Sequence, residues 1–492
     1  MKNVNLVYGV KDRPGFWKTL VFAFQQVLAI LAATVVVPVI INNSTGSNMS
    51  QSAALFGAGI GTIIYLLFTK FRSPVFLGSS FAFIAPMCAA FGGAGAYACL
   101  GYLGLILGAI FAGLVYVVIA IVVKFAGVNW INKLMPAAVI GPTVAVIGLS
   151  LSSNAVGDLL KGSVLAPHEE WVINATTKIP EFVTNYYPTA NPWIALICGL
   201  ITLIVVIVCS VYGKKMIKMI PFVLGIVAGY VAASIFTVIG ILTENTALQL
   251  IDFSMFKNME WVPSFTVVEA FRGIGEVTDY DWGGFIVTIL VAYVPVAFVV
   301  FAEHLADHKN ISSIIGSDLL KDPGLHRTLL GDGIGSMAGA LFGGCPNTTY
   351  GESVGCVAIS GNASVVTILT AAIICIIAAF FAPFVTFLKT IPACVMGGVC
   401  FALYGFIAVS GLKMIKDVDL NENHNLFTVS VILIAGVGGM VLEIGDGDDK
   451  VKITSVACAL ILGIIVNLIT SAAAKKAKAE KESEAASEEE AA

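Results

Sequence analysis

Apolar runs of membrane-spanning length recur down the whole chain, and a hydrocarbon slab ~30 Å thick demands about 20 mainly apolar residues per helical crossing. Such runs occur near 18–41, 53–69, 75–91, 99–123, 135–153, 192–211, 219–241, 283–302, 328–344, 363–386, 391–411, 425–442 and 453–471. A shorter segment at 350–361 brings the expected number of crossings to about fourteen. Only 12% of the 492 residues are charged, against roughly 25% in soluble domains. The predicted architecture is therefore an all-α polytopic membrane protein. Lys2, Lys11, Arg13 and Lys18 lead into a full-length first run with no small-residue cleavage pattern, so no cleavable signal is expected.

The cations predict an orientation. With fourteen crossings and the amino terminus inside, 20 of the 27 Lys and Arg residues fall on the cytoplasmic side, among them Lys70, Arg72, Lys214, Lys215, Lys218, Lys413 and Lys416. This asymmetry follows the positive-inside rule, and both termini are expected in the cytoplasm. Two polar stretches, 154–191 and 242–281, carry Trp171, Tyr186, Trp261 and Trp282 and are read as outer interfacial caps. The Ala-, Lys- and Glu-rich stretch 473–492 cannot bury a core and is read as a disordered or weakly helical cytoplasmic tail. Short Asn-x-Thr triplets such as Asn174-Ala175-Thr176 carry no weight.

Several classes of function are disfavoured by what the chain lacks. The ten cysteines, for example Cys88, Cys198, Cys209 and Cys375, sit mostly singly in apolar runs without C-x-x-C spacing, and no Walker or H-E-x-x-H run occurs. No catalytic residue, metal site or organic cofactor is expected, and no basic footprint for nucleic acid is present. A channel would need a continuous polar lining, which few of the runs offer.

One stretch interrupts the apolar pattern: Cys345-Pro346-Asn347-Thr348-Thr349-Tyr350-Gly351-Glu352-Ser353. A broken backbone and a carboxylate at membrane depth are tolerated only inside protein or beside a water-filled cavity. A half-chain relationship frames it. Met135-Pro136-Ala137-Ala138-Val139-Ile140-Gly141 is echoed by Ile391-Pro392-Ala393-Cys394-Val395-Met396-Gly397, about half a chain later. Seven crossings per half would place the halves in opposite senses, the inverted repeat of many transporters. Two Pro-initiated helices with a packing glycine would give the same match. The repeat predicts a first-half counterpart of the break, found at Leu77-Gly78-Ser79-Ser80-Phe81-Ala82-Phe83-Ile84-Ala85-Pro86. Packing through Gly and Ser would explain residues 78–80 equally well.

Glu303 follows the apolar run Phe285 to Ala302. Hydropathy alone puts it at the cytoplasmic edge, whereas a helix continuing to Ile315 would carry it deeper, with Asp307 one turn on along the same face and His308 pointing elsewhere.

These pieces together resemble a known family. Pro346 to Glu352, Ala302-Glu303-His304-Leu305, Asp318 to Arg327 and Gly78 to Phe83 are similar to the bacterial uracil permeases of the nucleobase/ascorbate transporter (nucleobase:cation symporter-2) family, over about residues 10–472. Xanthine and urate members carry a Gln-Asn pair where this chain has Pro346-Asn347, which favours uracil over a purine such as xanthine or urate. The resemblance implies a seven-plus-seven inverted repeat. Its core domain comprises 1–134 and 283–390, its gate domain 135–282 and 391–472, and spans three and ten are half helix, half short strand. It implies proton-coupled import of uracil or a related nucleobase by alternating access through the cell membrane, in a homodimer, with the proton as coupling ion. Glu303 and Glu352 would hold the pyrimidine ring, Phe81 would pack on it, Ala33, Tyr350 and Gly351 would complete the pocket, and Tyr404 would approach from the gate. Such a flat ring with two N–H donors and two carbonyl acceptors suits carboxylates, backbone N–H groups and an aromatic face. Members have a histidine four residues after the first glutamate, where this chain has Asp307, and a more usual asparagine where it has Ser353. The proton is therefore assigned to the group Glu303, Asp307 and His308. The same architecture also serves anion exchangers, for which two acids at the site would be ill suited.

Overall fold

A computed structural model describes residues 6–95, 97–127, 129–173, 180–214, 216–257, 259–278, 280–416, 418–444 and 451–471. The tail at 473–492, Lys215, the Asn174-Ala175-Thr176 triplet and the side chains of Trp171 and Tyr186 lie outside this description.

The first half builds α1 (Phe16–Thr45), α2 (Gln51–Phe68), strand β1 (Leu77–Ser79), α3 (Ile84–Gly93), α4 (Ala98–Ala126) and α5 (Ala137–Ser150). The hairpin β2 (Leu165–Ile173) and β3 (Pro180–Pro188) follows, then α6 (Pro192–Tyr212) and α7 (Pro221–Leu242). The second half builds α8 (Trp282–Ile315), α9 (Leu325–Gly343), β4 (Asn347–Thr349), α10 (Gly351–Ser360), α11 (Val365–Ala378), α12 (Ala382–Thr390), α13 (Ala393–Ile415) and α14 (Asn423–Val437). It closes with a short hairpin, β5 (Leu442–Ile444) and β6 (Val451–Ile453), and α15 (Ser455–Ser471). Among the described residues, eight helices are long and apolar enough to cross a membrane, or nine if the bent pair α11 and α12, at 83°, counts as one.

Local chemistry sets several boundaries. The Asp281 carboxylate accepts from Gly283 N and Gly284 N at 3.0 Å to open α8, and Ser50 Oγ accepts from Ala53 N at 3.2 Å to open α2. Asn191 caps α6, with Pro192 at its first position. Pro136 and Pro392, the matched prolines, stand just before α5 and α13 in extended conformations. Gly344 stops α9 at φ 75°, a left-handed geometry that favours glycine and turns the chain into the break.

Packing runs through small residues in two groups. In the first, α2 lies against α9 so closely that a Cβ on Gly57 or Gly61 would strike the carbonyls of Gly339 or Gly335. Contacts of α4 with α8 and α9, and of α11 with α1 and α2, extend this group. In the second, α5 packs on α13 through Gly141 and Gly411, and α6 packs on α7 and α13. Such backbone approaches are the usual helix-packing device in membranes.

One expectation needs amending and two open ones are resolved. The fold is not purely helical, because among the described residues three two-stranded antiparallel sheets accompany the helices. One of them, β2–β3, lies in the stretch 154–191 read as an outer cap, where Phe182, Val183, Thr184, Tyr186 and Tyr187 between Pro180 and Pro188 favour extended backbone. The run 75–91 is broken within Leu77–Pro86, where the counterpart of the second-half break was expected: the chain enters β1 after Phe76, makes a 3₁₀ turn at Phe81–Phe83, and only then forms α3. Finally, of the two ends open to α8 the chain takes the later: the helix runs 34 residues from Trp282 through Ala302 to Ile315 and is capped by left-handed Gly316.

Candidate functional site

The two sequence breaks meet each other. β1 and β4 pair antiparallel, with Leu77 opposite Thr349, Gly78 opposite Thr348 and Ser79 opposite Asn347. Ser80 N donates to the Pro346 carbonyl at 2.9 Å and Tyr350 N to that of Phe76 at 3.2 Å, so the backbone groups freed by the breaks satisfy one another. Side chains tighten the joint. Tyr350 OH donates to the Ser79 carbonyl at 2.8 Å, Leu77 N donates to Thr62 Oγ1 at 2.9 Å and Asn347 Nδ2 donates to the Gly57 carbonyl at 3.0 Å. Ser353 Oγ accepts from Phe76 N at 3.0 Å and also from Gln26 Nε2, which ties α1 and the β1 approach to the first turn of α10. Gly78 is required here, since a Cβ would run into the Tyr350 ring.

Beside the joint lies a cavity of about 360 Å³. From α8 it receives Glu303, Ala306 and Asp307; from the β4–α10 junction Thr348, Tyr350, Gly351 and Glu352; and from the turn before α3, Phe81. Leu403, Phe406, Ile407, Ser410 and Met414 of α13 and Pro221 and Phe222 of α7 form the facing wall, which reaches Lys218. Glu352 sits in the first turn of α10, where free N–H groups and the helix dipole favour an acid. Thr349 Oγ1 donates to Asp307 Oδ2 at 2.9 Å, orienting that carboxyl toward the strand. The cavity thus presents three carboxyl groups and an aromatic edge on one side and an apolar helix face on the other.

Of the residues expected at the site, Glu303, Glu352, Asp307, Phe81, Tyr350 and Gly351 line this cavity. Ala33 does not: it is fully buried, and Ala29, one turn earlier on α1, is the residue that reaches the lining. Tyr404 stands one layer back, buried, with its ring edge-on to Phe81 at 6.0 Å between centroids. His308 belongs to a different cluster. Its Nδ1 donates to the His304 carbonyl at 2.8 Å, its Nε2 lies 2.7 Å from Tyr65 OH, and its ring stacks on that of His304 at 3.9 Å. His304 in turn places Nδ1 2.7 Å from Asp332 Oδ2 and Nε2 3.0 Å from Thr328 Oγ1. All of these side chains are fully buried behind the α8 face that carries Glu303 and Asp307.

Asp332 and Gln26, and the role of Thr349 within its motif, emerge only from the three-dimensional arrangement. Asp332 had left a signal, a lone acid in the apolar, glycine-rich run of α9, which is costly in lipid unless partnered. Lys218 was noted only as part of an orienting cluster, yet it reaches the cavity wall. Among the described residues no group of three or more His, Cys, Asp or Glu is placed to hold a metal ion.

A multi-pass helical bundle whose two broken segments cross to form a polar cavity at their helix starts is a transporter architecture. Residues 17–445 match the Permease family, and the chain belongs to it, in the nucleobase:cation symporter-2 group; its members are transporters rather than enzymes. It is 37% identical to the uracil permease of Bacillus caldolyticus, with 94% of each chain covered. It is 35% identical to that of Bacillus subtilis (95% of each) and 33% to that of Escherichia coli K12 (94% of this chain, 93% of the relative). Among solved structures, the transmembrane domain of the cyanobacterial bicarbonate transporter BicA superposes with a TM-score of 0.59 at 15% identity, covering 92% of this chain and 98% of that one. The murine anion transporter Slc26a9 in its inward-facing state gives 0.58 at 13%, covering 94% and 69%. These two share the fold.

Proposed function

We propose that this protein imports uracil across the cell membrane by proton symport, with alternating access between a core and a gate. The observation that carries the reading is the acid-rich cavity at the joint of the two breaks, in a chain whose relatives are uracil permeases. Glu303 and Glu352 accept from the two ring N–H groups, backbone N–H groups at the start of α10 meet a ring carbonyl, and Phe81 covers the ring face. Tyr404 backs Phe81 from the gate, and Tyr350 holds the joint rather than the ring.

The core consists of α1–α4 and α8–α12, the gate of α5–α7 and α13–α15. Counting β1 with α3, β4 with α10 and the bent pair α11–α12 as one crossing each gives fourteen, seven in each half and related by inversion. Both termini then lie in the cytoplasm. The cavity extends toward Lys218 and Met414, on the side where the Lys214 and Lys413 clusters are expected, which makes this conformation inward-facing. A proton taken up from outside neutralises a carboxylate in the Glu303/Asp307 pair and removes the repulsion of Glu352, so uracil binds. The core then moves against the gate, and loss of the proton to the cytoplasm weakens binding, which supplies the differential affinity that coupling needs. The working unit is a homodimer.

Uptake of labelled uracil in a strain lacking its own permease tests this. Glu303→Gln and Glu352→Gln are expected to lower uptake at least about 100-fold, corresponding to loss of one charge-assisted hydrogen bond or more; near-normal uptake by either variant removes that residue from the site. Asp307→Asn is expected to retain some uptake but to lose its dependence on the proton gradient, read with and without an uncoupler. Competition by xanthine, urate and bicarbonate separates the readings. The shared fold with anion transporters favours testing bicarbonate, although three carboxyl groups suit it poorly.

A further inference from the structure

Away from the transport cavity, a second cleft of about 610 Å³ opens between the segment before α1, the turn after α2 and the start of α11. Four cations line it, Lys11, Arg13, Lys70 and Arg72, and its remaining wall is apolar: Phe71, Val365, Val366 and Leu369. The positive-inside rule explains why cations lie on this side, but it does not require two separate chain segments to converge on one cleft.

The cleft is firmly built. The segment before α1 is stitched to the α10–α11 connection: Val7 N donates to the Gly361 carbonyl at 2.8 Å, Ala363 N to that of Tyr8 at 2.9 Å and Ser364 Oγ to that of Asp12 at 2.6 Å. Across from it, Lys70 and Phe71 are both held in left-handed backbone, at φ 53° and 54°, a conformation that non-glycine residues rarely adopt and that is enriched at ligand-binding positions. The turn is closed by Phe71 N donating to the Leu66 carbonyl at 2.8 Å. Arg72 is paired with Asp322, and the Asp12 carboxylate is taken up by Gly9 N at 2.7 Å. Among the described residues, Lys11, Arg13 and Lys70 have no carboxylate at ion-pair distance.

Two further observations indicate what the three cations meet. Phe16 and Trp17, only three and four residues beyond Arg13, are 74% and 75% exposed, the placement of aromatic residues at a membrane–water interface, so the cleft lies at headgroup level. From its apolar wall a stripe continues along one face of α11 through Ile373 and Ile377, which are 43% and 65% exposed. At 1.5 Å per residue, Val366 to Ile377 spans about 16 Å, one leaflet of a ~30 Å hydrocarbon layer.

We propose that this cleft binds an anionic phospholipid of the cytoplasmic leaflet, its phosphate held by Lys11, Arg13 and Lys70 and one acyl chain lying along Val366, Leu369, Ile373 and Ile377. The lipid staples the amino-terminal segment to the core helices α2 and α11. The proposal depends on the membrane orientation and not on the transported substrate.

The test uses the full chain purified in non-ionic detergent, with thermal unfolding followed against added dioleoyl phosphatidylglycerol, dioleoyl phosphatidylcholine or glycerol phosphate, and native mass spectrometry to count retained lipid. Phosphatidylglycerol is expected to raise Tm by several degrees where phosphatidylcholine and glycerol phosphate do not. The combined variant Lys11→Gln/Arg13→Gln/Lys70→Gln is expected to need at least about tenfold more phosphatidylglycerol for the same shift, while Lys413→Gln/Lys416→Gln responds as the unaltered protein does. Equal stabilisation by phosphatidylcholine, a full effect of glycerol phosphate alone, or an unchanged response of the triple variant would overturn the proposal. Should the triple variant not fold, Lys11→Gln/Arg13→Gln, confined to the exposed amino-terminal segment, is read by the same criteria, and the lipid comparison on the unaltered protein stands by itself.

Discussion

At the scale of single residues, the acids of this chain divide by what faces them. Glu303, Asp307 and Glu352 border a cavity and can meet a ligand, whereas Asp332 is hydrogen-bonded to His304 and sealed. The first group was legible because acids that interrupt apolar sequence at membrane depth need a reason. The pairing of Asp332 with His304 was not, since nothing in either residue's neighbourhood names a partner 28 positions away. Removing one member of such a buried hydrogen-bonded pair leaves the other unsatisfied, at a cost of roughly 1–3 kcal/mol. His304→Leu is therefore expected to lower Tm markedly in detergent, and Asp332→Asn, which keeps a hydrogen-bonding partner, to lower it less. Equal melting of both variants and the unaltered protein would show that the pair carries no stability.

At the scale of elements, the breaks were legible and their pairing was not. Pro346 and the run Gly78-Ser79-Ser80 mark where helices must stop, but the register of β1 on β4 is a long-range fact. Hydropathy misplaced the end of α8 for a related reason: Glu303, His304, Asp307 and His308 read as the edge of a span although they lie inside protein. Two glycines of the broken elements separate fold from function. Gly78→Ala sets a methyl against the Tyr350 ring and is expected to destabilise by about 1–3 kcal/mol, seen as a lower Tm. Gly355, on the cavity wall, has nothing within 4 Å of an added Cβ, so Gly355→Leu is expected to leave Tm nearly unchanged while cutting uracil uptake at least about tenfold. A Gly355→Leu protein that transports normally would mean that the cavity is not on the substrate's path.

At the scale of the whole molecule, the two packing groups each close on themselves through glycine and alanine, with carbonyls against Cα atoms and little side-chain cushion between. Interfaces of that kind tolerate little sliding, and the cavity wall is where α10 faces α13 across open space. A flexible bismaleimide bridging Gly355→Cys and Ser410→Cys, in a background freed of reactive native thiols, is expected to stop uptake, and each single variant treated alike to retain it. Continued transport by the bridged protein would rule out movement of these two walls against each other. Apolar run lengths made the multi-pass helical plan legible. They could not convey which helices touch, because small residues look alike in sequence whether they face lipid or a neighbour.

The β1–β4 pair also has a consequence for how the protein is made. Ser79 and the Tyr350 hydroxyl that it binds are 271 residues apart in the chain. At synthesis rates of about 5–20 residues per second, the first broken segment waits roughly a quarter of a minute to a minute in the bilayer before its partner strand leaves the ribosome. Throughout that interval its strand edge is unsatisfied. Nascent chains halted before Tyr350 are accordingly expected to be degraded faster in the membrane than chains halted beyond Ser360, and pulse-chase of the two stalled lengths checks this.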